Sequence, residues 1–305
     1  MSQTSTPIFN AEQTSELLDY ADMVAELKQA SIDLERGDIQ APERQAVEYP
    51  AGGLMLSMPA TAPDIGIHKL VNVVRSNPER GLPIIHGVVA VYDGETGTNE
   101  CILHGQTVTA RRTAAVSMLG LDVLLNQAPR HAAIVGYGTQ GASHTQALAR
   151  LYPGLKVTIT GRHPDKAQAF IKQHQDLDLD LTAAPIIPDD ADVVITVTTS
   201  DQAFYNENAH SDRLIVAVGA FRPDMAEIGV NTLSGSQLFV DELAGAKHEA
   251  GDYLQADVDW NQVTGIVEAV KDGVGTPTPR VYKTVGCAAW DLAAARAALS
   301  RLKAG

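Results

Sequence analysis

Cysteine is scarce: Cys101 and Cys287 are the only two in 305 residues, and neither stands in a CxxC pair. A disulfide framework and a zinc site are therefore not indicated, and reduced thiols fit best. Positive charge is also in short supply, with 23 Lys and Arg against 37 Asp and Glu for a net charge of −14. So acidic a surface repels phosphate backbones and anionic lipid, which excludes nucleic acid and membrane as partners. Long apolar runs are missing too, none approaching the roughly 18 residues that span a bilayer. The opening MSQTSTPIFN has no basic segment followed by an apolar one, so no signal peptide is read. The expectation is a soluble cytoplasmic protein of two ordinary domains or one large one.

What is present is organised in two styles. Apolar residues at Met23, Val24, Leu27, Ala30, Ile32 and Leu34 recur at near-helical spacing among charges, predicting a helix over Tyr20 to Arg36 that stops at Gly37. Short β-type runs follow at Leu54 to Met58, Ile65 to Val74, Ile84 to Tyr92 and Cys101 to His104, with a hairpin turn in DGETG. A helix from Thr107 to Leu125, with threonine caps, leads into a second region. From His131 onward AAIVG, KVTIT, DVVITV, RLIVAVG and QLFVD alternate with helical segments, the pattern of a parallel sheet flanked by helices. An Ala-rich helix over Trp290 to Leu302 closes the chain after a Pro-rich passage, TPTPRVYKTVG.

The segment IVGYGTQG carries chemistry. Gly136, Gly138 and Gly141 form GxGxxG between an apolar strand and a helix. The first glycine permits the tight turn, the second lets backbone approach a diphosphate, and the third lets helix and strand pack closely. Sites that prefer NAD place an acid about 20 residues on to hold the ribose 2′-hydroxyl. Thr160 stands there instead, followed by Gly161 and Arg162, a cation that can pair with a 2′-phosphate. NADPH is the expected cofactor, with NADH possible; an ordinary solvated loop is the competing reading of Arg162.

Three cations in the first half stand out in so acidic a chain. Arg44 precedes the Gly52-Gly53 turn, Lys69 interrupts the apolar run IGIHKLVNVV, and Arg112 lies early in the helix that starts near Thr107. Lys69 is costly there unless its ammonium finds an anion or snorkels to water. Of the neighbours Arg111 and Arg112, only one can face a cleft, and their order does not say which. His86 in LPIIHGVVAVY is either a satisfied core or edge histidine or a catalytic one.

Five phrases together, HKLVN, VTARRTAAVSMLG, IVGYGTQGASH, VGAFRPDMAEI and VYKTVGCAAWDLA, resemble the ornithine cyclodeaminase/mu-crystallin family over nearly the whole chain. The nearer likeness is to its ketimine reductase branch. The resemblance implies an α/β fold: a doubly wound Rossmann domain over residues 119–287, and a β-rich substrate and dimerisation domain over 1–118 completed by a helix from 288–305. It places the site between them. It implies that Arg44, Lys69 and Arg112 hold a substrate carboxylate. Cofactor contacts match Arg112, Gly136, Gly138, Thr139, Gln140, Gly141, Arg162, Thr198, Thr199, Gly219, Thr284 and Val285. His86 matches a histidine in the mu-crystallin branch; the candidate proton donors for catalysis are Lys69, taken first, or a water held near His86, with no metal. Cyclodeaminases carry an acid shortly after the glycine that corresponds to Gly219, whereas this chain has Phe221 there, which argues against ornithine deamination. The expected activity is NADPH-dependent reduction of Δ1-pyrroline-2-carboxylate to L-proline, of Δ1-piperideine-2-carboxylate to L-pipecolate, or of both, by a homodimer. L-Alanine dehydrogenase, ornithine cyclodeaminase and a non-catalytic NADPH-binding protein are the alternatives.

Overall fold

The computed structural model describes residues 5–210 and 212–304. In chain order the elements begin with α1 (Ala11–Leu17), α2 (Tyr20–Arg36), β1 (Gln45–Glu48), β2 (Leu54–Thr61), β3 (Ile65–Val73), β4 (Ile85–Asp93), β5 (Asn99–His104) and α3 (Gly105–Leu124). There follow β6 (His131–Val135), α4 (Thr139–Leu151), β7 (Leu155–Thr160), α5 (Pro164–Gln173), β8 (Leu179–Ala183), β9 (Val193–Thr196) and β10 (Leu214–Ala217). The remainder is α6 (Val230–Ser234), β11 (Gln237–Val240), α7 (Leu243–Glu249), α8 (Gly251–Gln255), β12 (Val263–Gly265), α9 (Ile266–Asp272), β13 (Arg280–Lys283) and α10 (Ala288–Ala304). The chain divides into two compact units, one made of the residues up to Arg112 together with those from Cys287 onward, the other of Thr113–Gly286.

In the first unit β1 to β5 form an antiparallel sheet in sequence order. Because side chains alternate along a strand, one face of β3 carries Ile65, Ile67, Lys69 and Val71, all buried. Helix α10 lies on that face, and α2 packs against α10. α2 starts at Asp19, whose carboxylate accepts the Ala21 and Asp22 amides, and stops at Gly37 in the left-handed region (φ +80°). It buries Met23, Val24, Leu27 and Ala30, as the spacing predicts. α10 is buried on nearly every side, and its alanines let it lie close against α2, β2 and β3. The hairpin at Asp93 is held by the Thr96 amide and hydroxyl, both donating to the Asp93 carboxylate. Thr107 does not cap α3 as expected: the helix begins at Gly105, and the Thr107 hydroxyl lies 2.9 Å from His104 Nδ1.

The second unit is an eight-stranded, wholly parallel sheet in the order β12-β11-β13-β10-β9-β6-β7-β8. Strand order reverses between β6 and β9, the switch point outside which doubly wound sheets bind ligands. Its core gathers Ala133, Val135, Val194, Ile215, Val240, Val281 and Tyr253. The Pro-rich passage contains a central strand, β13, in place of a plain connection. Its two charged ends find partners in the interior: Arg280 donates from its terminal amino groups to the Leu124 and Thr276 carbonyls, and Lys283 pairs with Asp252. Among the described residues no helix is long and apolar enough to cross a membrane.

Candidate active site

The first unit gathers its cations around one carboxylate. Lys69 Nζ donates to both oxygens of Asp291, at 3.0 and 2.9 Å, and Arg112 Nε donates to Oδ1 at 3.1 Å. Asp291 is 0% exposed, while the side chains of Lys69 and Arg112 are 2% and 9% exposed. The anion that Lys69 required is therefore Asp291, supplied by the first turn of α10. Arg44, half-buried just before β1, adds a third positive charge that acts on Lys69. Two cations, Lys69 and Arg112, share one buried carboxylate, and the charge of that trio is positive.

Burial pulls the Lys69 ammonium down to about 8, against Asp291, which holds it up, and with Arg112 and Arg44, which push it further down. A lysine so placed exchanges its proton near neutrality. Arg112 commits only Nε to Asp291, and Lys69 commits two of its three N–H bonds, so both retain donors for an incoming anion. Arg111 takes the structural role of the pair: its guanidinium lies 4.2 Å from the Tyr20 ring centroid and donates to the Leu18 carbonyl. His86 is not brought to Lys69. It pairs across the sheet with Asn72 while Lys69 pairs with Val89, so the two project from opposite faces, and Gln106 is the neighbour of His86 at 3.4 Å.

In the second unit the turn after β6 is built as its glycines predict. Gly136 has φ +120°, and a Cβ there would sit 2.9 Å from the Val197 carbonyl. A Cβ at Gly141 would come within 2.4 Å of the Gly136 oxygen, which is the close packing of helix on strand. At Gly138 nothing lies within 4 Å, so backbone is open to a ligand. Gly138 caps α4 without any side-chain bond, leaving the first amides of a 13-residue helix undonated to protein side chains. Gln140 Oε1 is buried with no partner, and Thr139 is exposed beside it. These features fit a diphosphate. Behind them His144, held down to about 4 by burial, stays neutral, donating from Nδ1 to the Gln140 carbonyl and facing the Ser117 hydroxyl through Nε2. Arg162 is exposed in the loop after β7, and Thr160 ends that strand.

Two buried acids shape the remaining loops. Glu227 accepts from the Thr198 amide and hydroxyl at 2.7 Å each, from the Gly219 amide at 2.7 Å and from the Thr196 hydroxyl at 2.8 Å. One carboxylate thereby ties together the ends of β9 and β10, and the space it fills leaves no room for a Cβ at Gly219. Burial raises its carboxyl, opposed chiefly by Lys283. Asp241 accepts from the Val285 and Gly286 amides at 3.0 and 2.8 Å, and Thr284 donates its amide to the Ala217 carbonyl. Thr199 is exposed. Phe221 is 39% exposed, so it is not core filler, and Asp224 pairs with Arg222 at the surface.

Residues 5–305 match the ornithine cyclodeaminase/mu-crystallin family. The chain belongs to that family. It is 46% identical over 303 residues, covering 98% of this chain and 96% of its relative, to the Δ1-pyrroline-2-carboxylate/Δ1-piperideine-2-carboxylate reductase of Azospirillum brasilense. It is 45% identical over 302 residues, with coverage of 98% and 96%, to Δ1-pyrroline-2-carboxylate reductase 2 of Burkholderia ambifaria. Among solved structures it superposes on the Δ1-pyrroline-2-carboxylate reductase of Thermococcus litoralis with a TM-score of 0.87 at 21% identity, over 98% of each chain, a likeness of fold. Within this family member, Asp291, Glu227 and Asp241 were not singled out by sequence reasoning. Asp291 had a signal, an acid in the otherwise apolar AAWDLAAA.

Proposed function

We propose that this family member reduces a cyclic ketimine carboxylate, converting Δ1-pyrroline-2-carboxylate to L-proline and its six-membered analogue to L-pipecolate. The observation that carries this reading is the buried trio of Lys69, Arg112 and Asp291, positive in net charge and with N–H donors of Lys69 and Arg112 not committed to Asp291, beside the half-buried Arg44. Arg112, with its two terminal amino groups, is suited to take a carboxylate side-on, and Arg44 adds to the attraction. Orientation of this kind contributes several kcal/mol to lowering a barrier. Lys69 then delivers a proton to the ring nitrogen, which makes C2 electrophilic. The product amine and the neutral Lys69 each regain a proton from water. His86, on the other face of the sheet, takes no part.

Residues Gly136 to Gly141 and the start of α4 hold the diphosphate of a nicotinamide cofactor, with Thr198, Thr199, Gly219, Thr284 and Val285 as further contacts. When bound in reduced form, that cofactor supplies the hydride. Arg162 selects NADPH by pairing with the 2′-phosphate. In Arg162→Ala the KM for NADPH is expected to rise about tenfold or more, the weight of one exposed charge-assisted contact, with the KM for NADH nearly unchanged. Equal changes for both cofactors would remove the 2′-phosphate assignment.

A homodimer in the cytoplasm is part of the proposal. It is supported by the outward face of the antiparallel sheet, where Val47 and Val88 are 64% and 43% exposed, and by two free cysteines. Sedimentation equilibrium is expected to return a species of two chains. The activity is tested with a panel of five-membered imine, six-membered imine, pyruvate with ammonia, and ornithine. NADPH consumption with the cyclic imines supports the reading; faster consumption with pyruvate and ammonia, or ammonia release from ornithine without net cofactor use, overturns it.

A further inference from the structure

We propose that Asp291 is the positioning residue for proton delivery: clasped by Lys69 and Arg112, its carboxylate keeps Lys69 charged inside the protein and fixes where its remaining N–H points. This inference rests on the reading that Lys69 is the donor, and it assigns to α10 a part in the chemistry beyond covering the sheet.

The geometry is specific. Both Asp291 oxygens accept from one Nζ, which locks the ammonium in rotation, and Oδ1 is shared with Arg112 Nε. The acid is 0% exposed, so Lys69 and Arg112 compensate its charge without water. It sits where it touches both groups that face the expected substrate carboxylate.

The charged groups acting on Lys69 are Asp291 from α10, Arg112 from α3 and Arg44 from the segment before β1, and only Asp291 favours the protonated form. Without it, burial and two cations act unopposed. The neutral amine then prevails at lower pH, so the sign of the effect is fixed: the form able to donate is present at low pH and lost as pH rises, sooner when Asp291 is gone.

The test uses Asp291→Asn, which keeps the size and one acceptor oxygen, and Asp291→Ala with added formate. In the wild-type protein the affinity for pyrrole-2-carboxylate, a planar ring carboxylate, is expected to fall with rising pH around a midpoint near 8. The alkaline limb of kcat/KM on Δ1-pyrroline-2-carboxylate should follow it. In Asp291→Asn both are expected to move down by about one pH unit or more, the usual effect of one close opposite charge. Formate should move the limb of Asp291→Ala back up. Thermal melts and circular dichroism confine the comparison to folded protein. If Asp291→Asn does not fold, Asp291→Glu, which retains the charge, is expected to keep the wild-type limb. Unmoved limbs in folded Asp291→Asn, or a formate effect absent at every pH, would overturn the proposal. Lack of turnover by the wild-type protein on any cyclic imine would end the functional reading alone, because the binding titration reads Lys69 without turnover.

Discussion

Replacing Lys69 by methionine is expected to lower kcat on a cyclic imino acid by about 10³-fold, within the range that a positioned proton donor contributes. Methionine is unbranched and one atom shorter than lysine, it suits a position that is 2% exposed, and Asp291 keeps Arg112 as its partner. The fold should therefore persist, as should the affinity for the nicotinamide cofactor, since Lys69 is not among its candidate contacts. Steady-state kinetics with a melting curve and a cofactor titration check all three points. The split between constants separates the two roles open to this lysine. A large loss of kcat assigns proton delivery; a raised KM with kcat intact assigns carboxylate binding only; a change within threefold in both removes Lys69 from the site.

The second large effect concerns stability. Asp252 is 0% exposed, pairs with Lys283 Nζ at 2.9 Å, and accepts the Glu227 and Ile228 amides on its other oxygen. In Asp252→Ala the Lys283 ammonium loses its ion-pair partner in the interior and keeps the Ala217 carbonyl at 3.2 Å and the field of Glu227, and two amides lose their acceptor. Breaking a buried pair from one side costs about 3–5 kcal/mol. For a unit of this size that lowers Tm by on the order of 10 °C. The double change Asp252→Ala with Lys283→Met should recover part of the loss, because the stranded charge goes with it. A single variant within 1 °C of wild type would show that Lys283 finds water or another partner. The same variant is expected to weaken NADPH binding, since Glu227, which organises Thr198 and Gly219, is held by the Asp252 carboxylate at its amide.

Much of the fold was legible where local chemistry and tertiary demand agree. Helix α2 covers the stretch that its apolar spacing and its closing glycine indicate, and β2 to β5 lie within a few residues of their apolar runs. The glycine turn could be read because each glycine answers a separate steric need. What escaped were elements whose residues look solvated. Strand β13 carries Arg280 and Lys283 at its ends and reads as a loop after TPTP, yet both are buried and bonded to partners distant in sequence. Short elements such as α1, β1, β8 and α6 to α9 lack the length over which a period shows. In the candidate site the cations were visible as charges out of place, but the acids that organise them were not. Asp291 meets Lys69 across 222 residues of sequence, and spacing along the chain carries no information about such a meeting. Which of Arg111 and Arg112 faces inward was likewise a tertiary matter, decided by Tyr20 and Leu18 on one side and Asp291 on the other.

The claim on which the account turns is that a hydride reaches C2 of a ring held by its carboxylate. The most direct measurement is mass spectrometry and proton NMR of the product formed from Δ1-pyrroline-2-carboxylate with NADPH deuterated at C4 on the transferred face. The account predicts L-proline carrying one deuterium, at C2, in amounts equal to the NADPH consumed. Proline without label at C2, or no proline while pyruvate and ammonia yield labelled alanine, would contradict it.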